Sequence, residues 1–316
     1  MASSLPTPWI IDEDEEDAAY CLSVADFFVS DVDRLAQDKL IACSDLAGDW
    51  TDSMRKYESN IRPCSGYLSF HRLIDVTFRT ACVDYMAWAS EIFDAENETL
   101  HLAVSCLDMY LSNTGGLDAR RIFLASVTCL WVAMKHNEEV VELPSLESIG
   151  RVAAYWTRLR REEVLDMERD VLRAVRYQVW SPTRQAFLSR FLAAAGVGMA
   201  KEVFKAVENM AEYICEASLG CYEMLAFAPS KVAATAILLA KFIVVKWRVS
   251  WTATLETFTN YSSFQLKDCA TALHRFLFQG EGVAQATVWR YSTEETDFAA
   301  KRLFPATLPA DIFRIW

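Results

Sequence analysis

The sequence predicts an all-α protein, and three observations support that prediction. Glycine and proline are scarce, with 10 and 8 of them among 316 residues. No segment alternates apolar and polar residues with the period of two that a half-buried strand requires. From Ile122 to Met134 the residues are apolar on every face of a 3.6-residue period, apart from Ser126 and Thr128. Because this segment is too short to cross about 30 Å of hydrocarbon, we expect a core helix that other helices surround.

Composition and charge exclude several classes of function. With 53% hydrophobic and 23% charged residues, the chain is expected to fold as a globular protein. The formal net charge of −12 argues against a nucleic acid as the main partner, because binding to phosphates requires a clustered basic surface. The nine cysteines show no C-x-x-C or matching histidine spacing, so we expect a reducing compartment, no disulfide framework and no metal site. The lack of a signal-peptide pattern and of a long apolar run predicts a soluble intracellular protein without a membrane partner.

The helix signals are weakest at the N-terminus. The acidic run Asp12–Asp17 is expected to be solvated, and Ala18–Leu40 is compatible with an amphipathic helix. Capping and turn-forming residues then divide the chain up to residue 180 into helices. These are Trp50–Ser59, a helix from Asp75 to Ile92, Glu98–Ser112 with Asn97 as its cap, the central helix with Asp118 as its cap, a helix from Ser145 to Trp156, and Leu159–Arg176.

After residue 180 the pattern repeats. Ser181 and Pro182 are predicted to act as an N-cap and as the first helical residue. Five helices follow, of which the third is again the most apolar: Thr183–Ala194, Ala200–Leu219, Pro229–Lys246, Thr254–Thr259 and Ser263–Gln279. Two successive five-helix units predict a tandem duplication of one α-domain. The predicted boundaries are an N-terminal extension at 1–49, domains at 50–180 and 181–279, and a tail at 280–316 whose Phe304, Ile312 and Trp316 pack back on the body.

Two charged residues interrupt the apolar stripes of consecutive helices. Arg79 lies on one face with Val83, and Asp108 lies on one face with Val104 and Leu111. Since a lone buried charge costs several kcal/mol, we expect the two residues to face each other as a buried ion pair. The alternative is that both lie at stripe edges, in contact with water.

A second pair of charges occupies positions where two helices should meet another surface. Glu168 lies between Val164 and Val171, on the side that its helix should bury, and Lys135 lies where the central helix reaches the surface. Lys135 on its own is explained equally well as a cation at the negative end of a helix. Together the two residues predict a partly buried Lys and Glu at the edge of an apolar surface, which offer a donor and an acceptor to a partner's backbone.

Patterns that indicate catalysis are weak. The four histidines, His71, His101, His136 and His274, have no sequence-adjacent nucleophile or metal-spaced companion. The sequence contains no glycine-rich phosphate-binding loop. We therefore predict a protein that is not an enzyme and that needs no cofactor.

Several motifs, taken in chain order, resemble one known family. They are Gly66-Tyr67 leading to Arg79, Val83–Met86 (VDYM), Asn97–Ser112 (NETLHLAVSCLDMYLS), Ala133–Glu139 (AMKHNEE), Val164–Glu168 (VLDME), Ser181–Leu188 (SPTRQAFL) and Ala228–Ala234 (APSKVAA). The chain resembles the cyclins, nearest to the A/B or mitotic group. The resemblance covers about residues 50–279 and implies two tandem five-helix cyclin-box domains, with an N-terminal helix before them and a C-terminal tail after them.

The resemblance implies a regulatory subunit that forms a heterodimer with a cyclin-dependent Ser/Thr protein kinase and activates it in cell-cycle control, in the nucleus and/or the cytoplasm. By motif, Lys135 and Glu168 match the family's pair that hydrogen-bonds the backbone leading into the kinase's C-helix. The implied kinase-binding site is completed by His136, Glu139 and Leu172. The implied mechanism is a population shift, because the cyclin binds the helix-in conformation of the kinase better and so stabilises it.

Other motif positions concern the internal structure and the docking of substrates. Arg79 and Asp108 fall on the family's internal salt bridge. The family's substrate-docking groove corresponds to four positions that depart from its usual residues: Phe78, Cys82, Tyr85 and Trp88. These residues lack the family's glutamate, which pairs with a substrate arginine, so binding of R-x-L substrates or inhibitors is expected to be weakened.

One alternative function stays open. A cyclin-fold adaptor, such as a transcription factor IIB-like DNA adaptor, shares the fold without activating a kinase. The acidic net charge argues against this alternative, and the retention of both Lys135 and Glu168 favours kinase binding.

Overall fold

The structure, a computed structural model, describes the residue ranges 44–139, 143–245, 251–279, 282–302 and 304–313. The features predicted at Asp12–Asp17, at Ala18–Leu40 and at Trp316 lie outside these ranges. The chain divides into two compact units, Met1–Asp52 and Ser53–Trp316. Every contact described below lies within the second unit.

Regular structure in the described ranges is helical, which confirms the predicted fold class. The α-helices in chain order are α1 (Ser44–Asn60), α2 (Val76–Ile92), α3 (Asn97–Asn113), α4 (Ala119–Asn137), α5 (Leu146–Ala153), α6 (Arg161–Ala174), α7 (Arg184–Ala195), α8 (Lys201–Ala217), α9 (Pro229–Val245), α10 (Ala253–Thr259), α11 (Ser263–Gln279) and α12 (Gln285–Arg290). Short 3₁₀ turns accompany them at Tyr67–Phe70, Tyr222–Ala226, Ala299–Lys301 and Ala310–Phe313. Helices α2–α6 form an N-terminal five-helix domain and α7–α11 form a C-terminal one, as the repeat predicts.

Helix α4 is the central helix of the N-terminal domain. The Asp118 side chain accepts a hydrogen bond from the Arg121 backbone N–H and so begins the helix. Its apolar residues from Ile122 to Met134 are buried on all sides except at Trp131, because α2, α3 and α6 pack around it. Burying each large apolar side chain contributes about 1.5–3 kcal/mol, so this helix carries much of the domain's stability.

Helix α9 has the same role in the C-terminal domain, where it packs against α7, α8 and α11. Its start is fixed from a distant part of the chain. The buried Glu58 carboxylate accepts hydrogen bonds from the Ser230 backbone N–H at 3.0 Å and from the Ser230 hydroxyl at 2.6 Å. A carboxylate at this position satisfies the free N–H groups of a helix N-terminus, so the end of α1 holds the C-terminal domain.

The structure corrects two predicted helix caps. Thr183, rather than Ser181, is the N-cap of α7, and its hydroxyl accepts a hydrogen bond from the Ala186 N–H at 3.0 Å. The Ser181 hydroxyl is engaged by Ser105 at 2.8 Å, so Pro182 precedes the helix instead of opening it.

At the start of α3 the predicted cap, Asn97, is already helical and Glu96 is the cap residue. The Asn97 side-chain oxygen accepts a hydrogen bond from Arg290 at 3.0 Å instead. Both predicted cap residues, Ser181 and Asn97, instead use their side chains for hydrogen bonds to residues far away in the sequence.

The tail beyond residue 279 folds back on both domains. It approaches α8's end so closely that a Cβ atom on Gly220 would lie 2.5 Å from the Gly282 carbonyl oxygen. Only glycine fits there, and Gly282 itself has a positive φ of 91°. Ile312 is buried and Phe304 is half-buried, in agreement with the predicted packing of the tail.

Helix α12, which the sequence prediction missed, packs on α2. The Ala286 N–H donates a hydrogen bond to the Asp84 carboxylate at 3.2 Å. Arg290 forms ion pairs with Glu91 of α2 and, at 3.0 Å, with the buried Glu216 of α8. The tail therefore contacts both domains and stabilises their packing against each other.

Arg79 and Asp108 meet in the core, with only 1% and 2% of each residue exposed. Two parallel hydrogen bonds of 2.8 and 2.7 Å join the guanidinium to the carboxylate, and the Tyr67 hydroxyl donates to the same carboxylate at 2.6 Å. Burial alone would lower the pKa of the Arg79 guanidinium, but the Asp108 charge and the hydrogen bonds outweigh it and raise the pKa. Arg79 also donates to the Leu219 carbonyl oxygen at 2.9 Å, which ties the pair to the C-terminal domain.

Replacing Asp108 by Asn should lower the free energy of unfolding by about 3–5 kcal/mol, because the Arg79 charge would stay buried without a partner. Urea unfolding followed by circular dichroism measures the change. Asp166→Asn is the matched control, since it removes the exposed partner of Arg169 and should cost less than about 1 kcal/mol. Equal unfolding midpoints for the two variants would contradict a stabilising buried pair.

A second prediction concerns Glu98, whose carboxylate oxygens accept hydrogen bonds from the Thr183 hydroxyl at 2.8 and 2.7 Å. Burial raises the pKa of Glu98 to about 7, although the bond from Thr183 opposes that shift. The folded protein therefore binds this proton more tightly than the unfolded chain, and stability falls as the pH rises from about 4.5 to about 7. Glu98→Gln should be more stable than the wild type at about pH 8, by roughly 1–3 kcal/mol, and the difference should shrink towards pH 5. Urea unfolding at a series of pH values tests this, and parallel pH profiles for the two proteins would rule out the assignment.

Candidate functional site

The site predicted around Lys135 and Glu168 forms where the C-terminal end of α4 crosses α6. The Lys135 ammonium contacts the Glu168 carboxylate, and their side chains are 33% and 16% exposed. The ammonium also lies 5.2 Å from the centroid of the Trp131 ring, one helical turn earlier. The aromatic ring and the carboxylate together hold the lysine side chain at the edge of the core instead of leaving it in open solvent.

The surface around this pair is apolar. Glu168 follows the buried Met167, while Leu165 is 38% exposed and Leu172 is half-buried on the same helix. A lysine ammonium has three N–H donors and a carboxylate can accept several hydrogen bonds, so their mutual contact leaves further donors and acceptors available. The arrangement can therefore hydrogen-bond a backbone segment that packs on the leucines.

The polar end of α4 is fixed to the start of α3. The Asn137 amide donates to the Thr99 hydroxyl at 2.8 Å, and the Glu138 carboxylate accepts a hydrogen bond from the Glu96 backbone N–H at 3.1 Å. The neighbouring His136 and Glu139 are exposed. Asn137 and Glu138, whose sequence pattern indicates no such role, hold the helix end that carries Lys135.

Two further ion pairs, each with an exposed arginine, add to the contact between the same two helices. Arg120 pairs with Glu163 at 2.8 Å, and Arg121 pairs with Asp170 at 2.7 Å. Exposed pairs of this kind contribute about 0–1 kcal/mol each. They provide a comparison for Lys135 and Glu168, because they join the same helices without an aromatic ring beneath the cation.

Only some of the residues predicted to form the docking groove are accessible to solvent. Phe78 and Trp88 are half-buried, but Cys82 and Tyr85 are only 1% and 2% exposed and belong to the core. Tyr85 is covered because its ring packs against those of Phe123, with centroids 4.8 Å apart, and Trp156 at 6.3 Å.

The exposed side chains next to Trp88 and Tyr85 are aromatic. Trp88 packs edge-on against Tyr155, with ring centroids 5.6 Å apart. Tyr155 is 82% exposed and Trp156 is 56% exposed. The residues that form this aromatic cluster are Tyr85, Trp88, Phe123, Tyr155 and Trp156. The cluster itself contributes no carboxylate to an arriving arginine.

The described residues contain neither a candidate metal site nor a candidate membrane-spanning helix. No group of three or more His, Cys, Asp or Glu side chains in that part of the chain could hold a metal ion. No helix there has the length and apolar character needed to cross a bilayer.

Comparisons with known proteins identify the family. A profile described as the cyclin N-terminal domain matches residues 49–180, and one described as the cyclin C-terminal domain matches residues 182–304. Cyclin-A1-4 of Oryza sativa subsp. japonica is 33% identical over 295 residues, which are 93% of this chain and 81% of that relative. The chain belongs to the cyclin family. The C-terminal match includes α12, so part of the tail continues the second cyclin domain.

Other relatives are similar over shorter fractions of their own length. Cyclin-A1-2 of Oryza sativa subsp. japonica is 32% identical over 289 residues, 90% of this cyclin and 59% of the relative. Cyclin-A1-1 of Arabidopsis thaliana is 33% identical over 273 residues, 86% of this cyclin and 58% of the relative. This chain thus spans less than two thirds of both. Their A-type names agree with the predicted resemblance to the A/B group.

A solved structure supports the same fold. The viral cyclin from Herpesvirus saimiri superposes with a TM-score of 0.61 at 15% sequence identity, covering 75% of this cyclin and 98% of the viral one. At that identity the likeness concerns the fold and not the details of any site.

An R-x-L peptide should show no saturable micromolar binding to this cyclin, because the aromatic cluster offers its arginine no carboxylate and Trp156 covers Tyr85. Fluorescence anisotropy with a labelled peptide measures the affinity. A peptide with alanine in place of arginine is the control and should give the same titration curve. Micromolar binding that requires the arginine would show that another acidic residue receives it.

Proposed function

We propose that this cyclin is the regulatory subunit of a cyclin-dependent Ser/Thr protein kinase, which it binds as a heterodimer and activates in cell-cycle control. It performs no catalysis of its own and acts in the nucleus and/or the cytoplasm. Membership of the cyclin family supports this proposal. The observation that carries it is the Lys135–Glu168 pair, which stands half-exposed at the edge of an apolar surface.

The proposed contact uses hydrogen bonds to a partner backbone together with apolar packing. Lys135 donates to carbonyl oxygens and Glu168 accepts from N–H groups of the segment leading into the kinase's C-helix. Leu172 packs beneath that segment, and His136 and Glu139 flank it. Because α4 is enclosed by other helices, the donor and acceptor are held in place before the kinase arrives, which lowers the entropy cost of binding.

Activation follows from preferential binding. A cyclin that binds the helix-in conformation of the kinase more tightly than the helix-out conformation raises the population of the former. Reversing an equilibrium from 1:99 to 99:1 requires a preference of about 5.5 kcal/mol. A few hydrogen bonds to backbone groups, at about 1–3 kcal/mol for each group otherwise left unpaired, together with the burial of leucine surface, are of the required size.

The test is the double variant Lys135→Met with Glu168→Leu. If the pair only stabilised the fold, apolar residues of similar size would be tolerated, since such replacements of ion pairs are often neutral or stabilising. If the pair binds the kinase, the double variant keeps its helicity and melting temperature but loses kinase affinity by at least about tenfold. Co-purification with a tagged cyclin, followed by a kinase assay, measures both binding and activation.

The double variant Arg121→Met with Asp170→Leu is the matched control. It removes an exposed ion pair between the same two helices, away from the end of α4 that carries Lys135. We expect this control to bind and activate the kinase like the wild type. Normal activation by the Lys135/Glu168 variant would refute the proposed contact. If the wild type itself captures no kinase, the cyclin-fold adaptor becomes the better interpretation.

A further inference from the structure

A small cavity lies where the N-terminal and C-terminal domains meet. Its inner wall is formed by buried residues of α3 and of the start of α7, among them His101, Thr183 and Arg184. The half-buried Arg62 and Phe227 line it toward the solvent. Its volume is about 50 Å³, whereas one water molecule needs roughly 10–15 Å³. The cavity therefore has room for a few water molecules or for one oxyanion of the size of phosphate.

Arg184 brings a positive charge to this cavity without a matching negative one. The residue is 8% exposed, and its guanidinium donates a hydrogen bond to the Ser218 hydroxyl at 2.8 Å. No carboxylate of a described residue forms an ion pair with it. A guanidinium carries five N–H donors, so a single hydroxyl acceptor leaves most of them available.

The carboxylate on the cavity wall does not compensate this charge. Asp108 lines the cavity, but its two oxygens already accept hydrogen bonds from Arg79 and Tyr67. Arg79 also repels the Arg184 charge, and burial together with this repulsion lowers the pKa of Arg184. Among the residues that line the cavity, Arg62 and Arg184 thus face the single carboxylate of Asp108, which Arg79 already engages. The nearby Glu98 carboxylate lies outside the lining and is bound by the Thr183 hydroxyl.

His101 supplies a second group that lacks a partner. It is 2% exposed, and both of its ring nitrogens are buried without a hydrogen bond. Burial and the nearby Arg184 and Arg290 charges lower the pKa of His101 to about 3, so the ring is neutral and carries one N–H donor. A buried donor without an acceptor is destabilising, and a bound acceptor would remove that penalty.

We propose that this cavity binds a small tetrahedral oxyanion, either inorganic phosphate or the phosphate group of a monoester, with Arg184 as its charged ligand and His101 as a hydrogen-bond donor. Water in the cavity would satisfy the hydrogen bonds but would leave the guanidinium charge uncompensated. An oxyanion satisfies both requirements, because charge-assisted hydrogen bonds from arginine to phosphate oxygens are among the stronger ones in proteins. The inference is independent of kinase binding, since the cavity is formed by α3, α7 and the loops beside them.

The first experiment is thermal unfolding of the full chain in inorganic phosphate and in chloride at equal ionic strength. Binding only to the folded state should raise the melting temperature by roughly 2–4 °C at saturating phosphate. Arg184→Gln should lose this increase, and Arg184→Lys should keep part of it because the charge is retained. Arg72→Gln is the matched control, since Arg72 is exposed and its loss changes the net charge equally. This control should keep the full increase.

The second experiment uses the histidine ring signals in NMR spectra of the wild type, which remains informative if Arg184→Gln does not fold. Phosphate should shift the ring signals of His101 and leave those of the exposed His136 unchanged. O-phosphoserine, added in place of inorganic phosphate, separates the two sources, because binding of both probes assigns the cavity to a phosphate monoester and binding of phosphate alone assigns it to the free ion. Equal stabilisation of the wild type and Arg184→Gln, or unchanged His101 signals at saturating phosphate, would overturn the proposal and leave a water-filled cavity.

Discussion

The buried ion pair between Arg79 and Asp108 is the contact on which the arrangement of the two cyclin domains depends. Leaving either charge buried without the other would be strongly destabilising, so the pair holds α2 and α3 together at this point. The same guanidinium donates to the Leu219 carbonyl oxygen, which lies just beyond α8 in the C-terminal domain. Arg290 in the tail also connects the two domains, because it forms ion pairs with Glu91 of α2 and with Glu216 of α8. Arg79 and Arg290 thus each bond to both cyclin domains and help to fix the packing of one domain against the other.

The ion pair between Lys135 and Glu168 differs from Arg79–Asp108 because it is in contact with solvent. With side chains 33% and 16% exposed, it gains little stability from Coulomb attraction in water. Nor are its hydrogen-bonding groups exhausted by mutual contact. An ion pair that stabilises little and retains free donors and acceptors, beside the exposed Leu165 and the half-buried Leu172, is suited to binding. The extent of burial therefore distinguishes the two ion pairs that the sequence predicts. Arg79–Asp108 lies in the core, whereas Lys135–Glu168 is in contact with solvent.

Periodicity and capping residues predicted the helices well, since those signals are local. The stripe positions of Arg79 and Asp108 also favoured their pairing, because an opposite charge offsets much of the cost of burying a charged group. The sequence could not indicate that Trp156 covers Tyr85, or that Arg290 engages Asn97, because these contacts join positions far apart in the chain. For the same reason α12 was missed, since its six residues are held by tertiary contacts rather than by intrinsic helix signals.

Helix α3 connects the features that matter for function. At its N-terminal end Thr99 accepts the hydrogen bond from Asn137 that fixes the end of α4 presenting Lys135. One residue earlier, Glu98 is bound by Thr183 of the C-terminal domain, and three turns later Asp108 pairs with Arg79. His101, on the wall of the junction cavity, lies between them on the same helix. Because α3 is tightly packed at each of these points, it links the domain junction to the end of α4 that carries Lys135. The proposed kinase contact and the proposed oxyanion cavity therefore use different residues, although the same helix helps to position both.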